Sequence, residues 1–218
     1  MITNAILDAI TPGAIAAGLR LLQGNHLAPT VEGHVSILLN VMPPGKGAVI
    51  GDMGCGFGEV SRLIQQERPD LRLILLNMNL MQMREAPHQF PRVVGDMHAI
   101  PLRDGAVDVA MFCYSFCHSS PMIALREAHR ITRPGGMLFI YDYTRMCGNN
   151  ALMEARLCAR AWGYNAMVEM ARASGWISHQ CTLTGGDDTP FRSLYANDEE
   201  YDLIFNDIAP SIWRMWRA

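Results

Sequence analysis

The sequence predicts an α/β fold, a mostly parallel central sheet flanked by helices, and three observations carry that prediction. A short apolar strand at residues 48–50 runs through Asp52 into Gly54-Cys55-Gly56-Phe57-Gly58. A helical pattern follows at once, with Val60, Leu63 and Ile64 on one face. Strand, glycine turn and helix together open a βαβ unit. Further buried-strand patterns then alternate with helical stretches, as a parallel sheet requires. A helical segment also precedes the first strand and so stands outside the sheet.

Taken in order, residues 2–22 place Ile2, Ile6 and Ile10, then Ile15, Leu19 and Leu22, at helical spacing. Thr11-Pro12 suits the start of a second helix, with proline in its first turn, and Gly24-Asn25 ends it. Residues 31–41 predict a third helix, stopped by Pro43-Pro44-Gly45. His26 and His34 fall in this region, with surface or capping roles as their default. Residues 72–76 form a buried-strand pattern ending in Asn77-Met78-Asn79, with Gln82 a turn later. Val93-Val94 makes a short strand before Gly95-Asp96-Met97.

Residues 106–113 are a fourth buried strand, led in by Arg103-Asp104-Gly105 and ending at Cys113-Tyr114-Ser115-Phe116-Cys117-His118. A helix is expected over 121–133 with Ile123, Ala128 and Ile131 inward, then a tight Pro134-Gly135-Gly136 turn into a strand at 137–143. Helical stretches follow near 151–162 and 165–174, a strand at 176–183, and a turn at Gly185-Gly186-Asp187-Asp188. The stretch 197–217 reads as helix, broken or kinked at Pro210, so no closing strand is evident.

The chain of 218 residues is long enough for one α/β domain with a full core. It is read as a single domain over 1–218, a helical cap at 1–44 on a core at 45–218. Half the residues are apolar, 18% are charged, and the net charge is −3. With no basic stripe, nucleic acid is not expected as a partner. The six cysteines show no paired metal spacing, so no metal is expected, and they suit a reducing compartment. No apolar run is long enough to cross a membrane, and no basic region precedes a hydrophobic core at the N-terminus; the expected location is the cytoplasm. The 15 methionines either fill the core or line a pocket for a flexible apolar ligand.

Two ligand classes use a glycine turn of this kind. The dinucleotide fingerprint needs G-x-G-x-x-G; here the third glycine comes one residue early, and Glu59 would face a pyrophosphate. The spacing D-x-G-x-G-x-G from Asp52 to Gly58 instead resembles motif I of the class I S-adenosylmethionine (SAM) methyltransferases, which implies their Rossmann-like fold. Asn77-Met78-Asn79-Leu80-Met81-Gln82, written N-x-N-x-x-Q, looks like the sterol and terpenoid C-methyltransferases. Tyr114 to His118 resembles their E-A-T-C-H passage, and Tyr141-Asp142-Tyr143 their aromatic–acid–aromatic strand end. Thr189-Pro190-Phe191 with Leu194 is similar to the late segment of the geranyl diphosphate C-methyltransferases.

That resemblance implies SAM as cofactor and S-adenosylhomocysteine (SAH) as product, held by Asp52, Met53, Gly54, Cys55 and Gly56 around the methionine half. Asn77, Met78 and Gln82 would meet the ribose, Asp96 would accept from the adenine amine with Met97 against the ring, Cys113 would also contact the cofactor, and Tyr114 to His118 would lie beside the transferred methyl. Tyr114, His118 and Asp142 are the catalytic candidates, and the N-terminal helices resemble a lid. The family has a glutamate where this chain has Tyr114. A tyrosine offers its ring face to a cation but is a poor base, leaving His118, Asp142 or a substrate phosphate to take the proton. The expected function is methyl transfer to a small apolar substrate, preferably C-methylation of a prenyl or terpenoid alkene. The alternatives are O- or N-methylation of a natural product or metabolite and a non-catalytic SAM-binding module. For a diphosphate-bearing substrate, Mg²⁺ or Arg20, Arg145 and Arg192 would be needed; a homo-oligomer is possible.

Overall fold

The computed structural model describes residues 4–16, 27, 28, 30–149, 151–184 and 198–218. Its strands are β1 (Val49–Met53), β2 (Arg72–Asn77), β3 (Arg92–Val94), β4 (Val107–Cys113), β5 (Thr132–Arg145), β6 (Trp162–Gly163), β7 (Trp176–Leu183) and β8 (Ile208–Arg217). Its helices are α1 (Asn4–Ala16), α2 (Val31–Val41), α3 (Glu59–Glu67), α4 (Leu80–Glu85), α5 (Pro121–Ile131), α6 (Ala151–Leu157), α7 (Tyr164–Ala173) and α8 (Asp198–Phe205).

The sheet order is β3-β2-β1-β4-β5-β8-β7, with β6 paired on β5. Strands β1 to β5 run parallel, and β8 runs antiparallel to both β5 and β7. Residues alternate between two apolar cores along the central strands. On β4, Val109, Met111 and Cys113 join α2 and α3 on one face, whereas Val107, Ala110 and Phe112 join α5 and α7 on the other. A strand buried on both faces reads as a continuous apolar run, which is why β1, β2, β4 and β5 were visible in the sequence.

Four expectations are corrected. The stretch 197–217 is not one interrupted helix. It contains α8 and then β8, which fills the slot between β5 and β7. Along β8, Ile212 faces the α2–α3 core while Trp213 and Met215 face the α5–α7 core. Pro210 lies just outside the register with β7, where a missing N–H is tolerated. The guanidinium of Arg217 closes the strand by donating to the carbonyls of His129, Arg130 and Thr132 at the end of α5. A cation satisfies the orphan carbonyls of a helix C-terminus.

Thr11-Pro12 starts no second helix; α1 continues through Pro12 to Ala16. Pro134-Gly135-Gly136 is a bulge inside β5, where the register jumps between Val107↔Thr132 and Val109↔Met137. On α5 the inward residues are Ala124, Leu125, Ala128 and Ile131, and Ile123 faces solvent. The expectations at His26, Gly24-Asn25, Arg20, Gly185 to Asp188, Thr189-Pro190-Phe191, Arg192 and Leu194 lie outside the described residues. Among the described residues, no helix is long and apolar enough to cross a membrane.

Candidate active site

The carboxyl ends of β1 to β5 lie side by side at one edge of the sheet, where open parallel sheets hold their ligands in a crevice. β1 ends at Met53, and the chain turns at Gly54 (φ 80°), Gly56 (φ 56°) and Gly58 (φ 73°) before α3 begins. Only glycine adopts such angles without strain. A Cβ at Gly54 would lie 2.5 Å from the Cβ of Ser115, so the loop presses against the end of β4. At Gly56 a Cβ would meet nothing within 4 Å. The backbone is therefore open on this side of the turn.

Other groups lock the loop in place. The N–H groups of Gly54 and Cys55 donate to the carbonyl of Leu76, at 2.8 and 3.1 Å. Asp52 is buried, and its Oδ2 accepts from the Ser61 hydroxyl on α3 at 2.6 Å. Burial pushes the Asp52 carboxyl up to about 6, against the Ser61 hydrogen bond that favours the charged form. Cys55 is buried beside Met83, with the two sulfurs 3.6 Å apart.

At the end of β2, Asn77 donates through Nδ2 to Oε1 of Gln82 (2.8 Å) and to the carbonyl of Gly56 (3.2 Å). Asn79 caps α4 by accepting from the Gln82 N–H at 2.9 Å. Helix α1 reaches this cluster from 71 residues away. Asp8 accepts from Asn79 Nδ2 at 2.7 Å, and Thr11 accepts from Gln82 Nε2 at 3.1 Å. Met78 is half-buried beside it. After β3, Asp96 keeps its side chain half exposed, with Oδ1 engaged by His98, and Met97 brings its methyl toward Gly54.

The β4–β5 half is aromatic. Tyr114 holds a left-handed backbone (φ 48°), a strained conformation for a residue with a Cβ. Its N–H still donates to the carbonyl of Tyr141 at 2.8 Å. Its ring lies 4.8 Å from that of Tyr141 and 4.9 Å from that of Tyr143. Tyr143 packs on Phe205 of α8, and Phe205 stacks on Tyr201. Burial, together with Tyr143 and Tyr141, drives the Tyr114 phenol well above its usual value, so it stays protonated. His34, expected at the surface, is buried on α2 with its ring 5.5 Å from that of Tyr141. It accepts the Leu27 N–H at Nδ1.

Asp142 lies buried beneath the turn 116–118. Its Oδ2 accepts from the Cys117 N–H (2.9 Å) and its Oδ1 from the Tyr143 N–H (2.8 Å). With both oxygens engaged, it fastens the turn to β5. Its carboxyl is pushed up to about 6 by burial, which outweighs those hydrogen bonds. His118, in that turn, has Nδ1 3.1 Å from the carbonyl of Cys158. A carbonyl only accepts, so Nδ1 carries the proton and Nε2 keeps its lone pair. Burial lowers the His118 pKa, leaving the ring neutral at pH 7. Cys113 is buried at the end of β4, its thiol pushed well above its usual value by burial and by Asp52 and Asp142. Arg145 stands at the last position of β5. Among the described residues, no group of three His, Cys, Asp or Glu side chains is placed to hold a metal.

A family model described as "Methyltransferase domain" matches residues 51–140, from the glycine turn to the middle of β5. Over this stretch the chain is similar to that domain. The chain as a whole has the Rossmann-like class I methyltransferase fold. It matches the [4+2]-cyclase SpnF with a TM-score of 0.77 over 98% of this chain and 95% of that one, at 15% identity. The geranyl diphosphate C-methyltransferase of Streptomyces coelicolor A3(2) matches with a TM-score of 0.73 over 85% and 80%, at 13% identity. Among curated relatives, the malonyl-[acyl-carrier protein] O-methyltransferase of Pectobacterium atrosepticum is 36% identical over 107 residues, or 46% of this chain. This chain spans only 41% of that relative's length.

Beyond the motifs, the candidate site draws on Asp8, Thr11, Ser61, His98 and the Cys158 carbonyl, none of them expected from the sequence. No local pattern marks them. His98 meets Asp96 two residues away along the chain, but its other partner, Ser120, and the partners of the remaining groups are brought close only by the fold.

Proposed function

We propose that this chain transfers the methyl group of S-adenosylmethionine to a small, largely apolar acceptor and releases S-adenosylhomocysteine. The observation that carries this reading is the division of the crevice. Backbone and polar groups line the β1–β3 ends, and an aromatic wall lines the β4–β5 ends. The residues present fit the cofactor: a backbone open at Gly56 for the methionine half, the Asn77–Asn79–Gln82 cluster for ribose hydroxyls, and Asp96 with Met97 for adenine. The cofactor supplies an electrophilic methyl group, and the chain aligns it with the acceptor and excludes water.

For the acceptor, the best-supported reading is C-methylation of a prenyl or terpenoid alkene. The alkene electron pair forms the new bond to the methyl carbon, and the old C–S pair returns to sulfur. The ring faces of Tyr114 and Tyr143 stabilise the carbocation left on the acceptor. His118 Nε2 then takes the proton from the neighbouring carbon, since Tyr114 stays protonated and both Asp142 oxygens are engaged. A diphosphate on the acceptor would require Arg145 or added Mg²⁺. The second reading, O-methylation with His118 as base on a hydroxyl, is favoured by that same open Nε2.

Incubation with methyl-labelled SAM and a panel of prenyl diphosphates, sterols and phenols tests the choice. Label is expected in acid-stable C–CH₃ groups. Label confined to oxygen or nitrogen would end the alkene reading. Failure to bind SAH in calorimetry would remove the methyltransferase reading altogether.

A further inference from the structure

One imidazole outside the family motifs joins the two halves of the crevice. His98 stands two residues after Asp96, and its backbone N–H donates to Asp96 Oδ1 at 2.9 Å. Its ring Nδ1 lies 2.5 Å from the same oxygen. On the other side, Nε2 accepts the N–H of Ser120 at 2.8 Å. An amide can only donate, so Nε2 must be bare and Nδ1 must carry the proton. Both nitrogens are therefore committed.

The two partners matter. Asp96 is 52% exposed at its side chain, and His98 only 20%; an exposed carboxylate held by one backbone contact samples several rotamers. Ser120 is the N-cap of α5, but its own side chain caps nothing. Its N–H follows directly on the turn that carries His118, which Ser119 closes by donating to the Phe116 carbonyl at 2.7 Å.

We propose that His98 is a positioning residue: its Nδ1–H holds Asp96 Oδ1 so that Oδ2 is turned to the adenine amine, while its Nε2 moors this loop to the start of α5. The assignment rests on the cofactor reading above. Fixing the carboxylate before binding removes an ordering cost from cofactor association, and it makes the site selective for a 6-amino purine over a 6-oxo one.

Two substitutions separate the halves of the ring. His98→Asn places an amide N–H₂ where Nδ1 stands and removes the Ser120 acceptor. His98→Gln places an amide oxygen near Nε2 and removes the Asp96 donor. Calorimetry on the full chain, with SAH and with S-inosylhomocysteine as probes, reads the result without any turnover. The wild type is expected to prefer SAH by about tenfold or more, the worth of one charge-assisted hydrogen bond. His98→Gln should lose most of that preference and His98→Asn should keep it. In the wild type, the nitrogen NMR spectrum of the ring should show a protonated Nδ1 and a bare Nε2.

An unchanged preference in His98→Gln, or equal loss in both variants, would overturn the role of His98 while leaving the methyltransferase reading intact. A wild type that binds neither probe would overturn the reading beneath it. Should His98→Gln fail to fold, the tautomer spectrum still decides: a ring protonated at Nε2 in the wild type sinks the proposal.

Discussion

The two halves of the crevice are built differently. At the β1–β3 ends, the polar groups pair with partners close in sequence, and short hydrogen bonds set their geometry: Asp52 to Ser61, Asn77 to Gln82, Asn79 to the start of α4. At the β4–β5 ends, Tyr114, Tyr141, Tyr143, His34 and Phe205 come from four distant segments and meet through ring packing. The contrast is sharpest in the two buried acids. Asp52 and Asp142 are both raised to about 6 by burial. The first braces a glycine loop through one hydroxyl, and the second clamps a turn through two backbone N–H groups.

The largest effect on this comparison should come from Gly54→Ala. The added Cβ would collide with Ser115 at a backbone angle costly for alanine, so about 3 kcal/mol of stability should be lost. Thermal unfolding measures it, and SAH affinity should fall with it. A near-neutral result would mean that the loop is not rigid.

Next, stability should fall as pH rises from about 4 to about 6, and Asp52→Asn should flatten that slope. The sign follows from the raised folded-state pKa. Protons are held more tightly in the folded chain, so the contribution is fully present below about 3.8 and lost on passing about 6. Over that interval the carboxyl accounts for about 3 kcal/mol. Urea midpoints of wild type and variant at pH 4.5 and pH 7 read the difference. A larger gain from pH 4.5 to pH 7 in the wild type than in the variant would contradict it.

Asp142→Asn tests the other half. An asparagine has one acceptor oxygen for two N–H donors, so the change should cost about 2 kcal/mol. Turnover should fall more than SAH affinity, because the turn carrying His118 loosens. Equal losses in both would argue that Asp142 serves the whole crevice.

The smallest effect expected is that of Thr11→Val, which removes the acceptor that α1 offers to Gln82. About 1 kcal/mol should be lost, seen as a few-fold weaker SAH binding with little change in melting temperature. A larger drop in melting temperature than in affinity would make α1 a structural support and not a cover on the site.

In the polar half the glycine turn was legible, because its spacing is imposed by backbone geometry, whereas Asp8, Thr11, Ser61 and His98 were not. Asp52 to Gly58 is dictated by a strand entering a helix through left-handed glycines. The aromatic half was legible only in part. Tyr141-Asp142-Tyr143 could be read as a strand end, but strand periodicity does not say that Asp142 points its oxygens at Cys117 and Tyr143. Nor could it place His34 against Tyr141, or put a left-handed backbone at Tyr114.

The sequence by itself determined the parallel strands and the glycine turn, because each follows from local periodicity or from a conformation only certain residues adopt. The tertiary structure alone decided the rest. It drew 208–217 out of an expected helix into the sheet, since a chain flanked by two strands and buried on both faces gains a ladder of hydrogen bonds that local propensity does not encode. It also chose which nitrogen of His118 stays open, because the carbonyl that settles it, that of Cys158, lies 40 residues away along the chain.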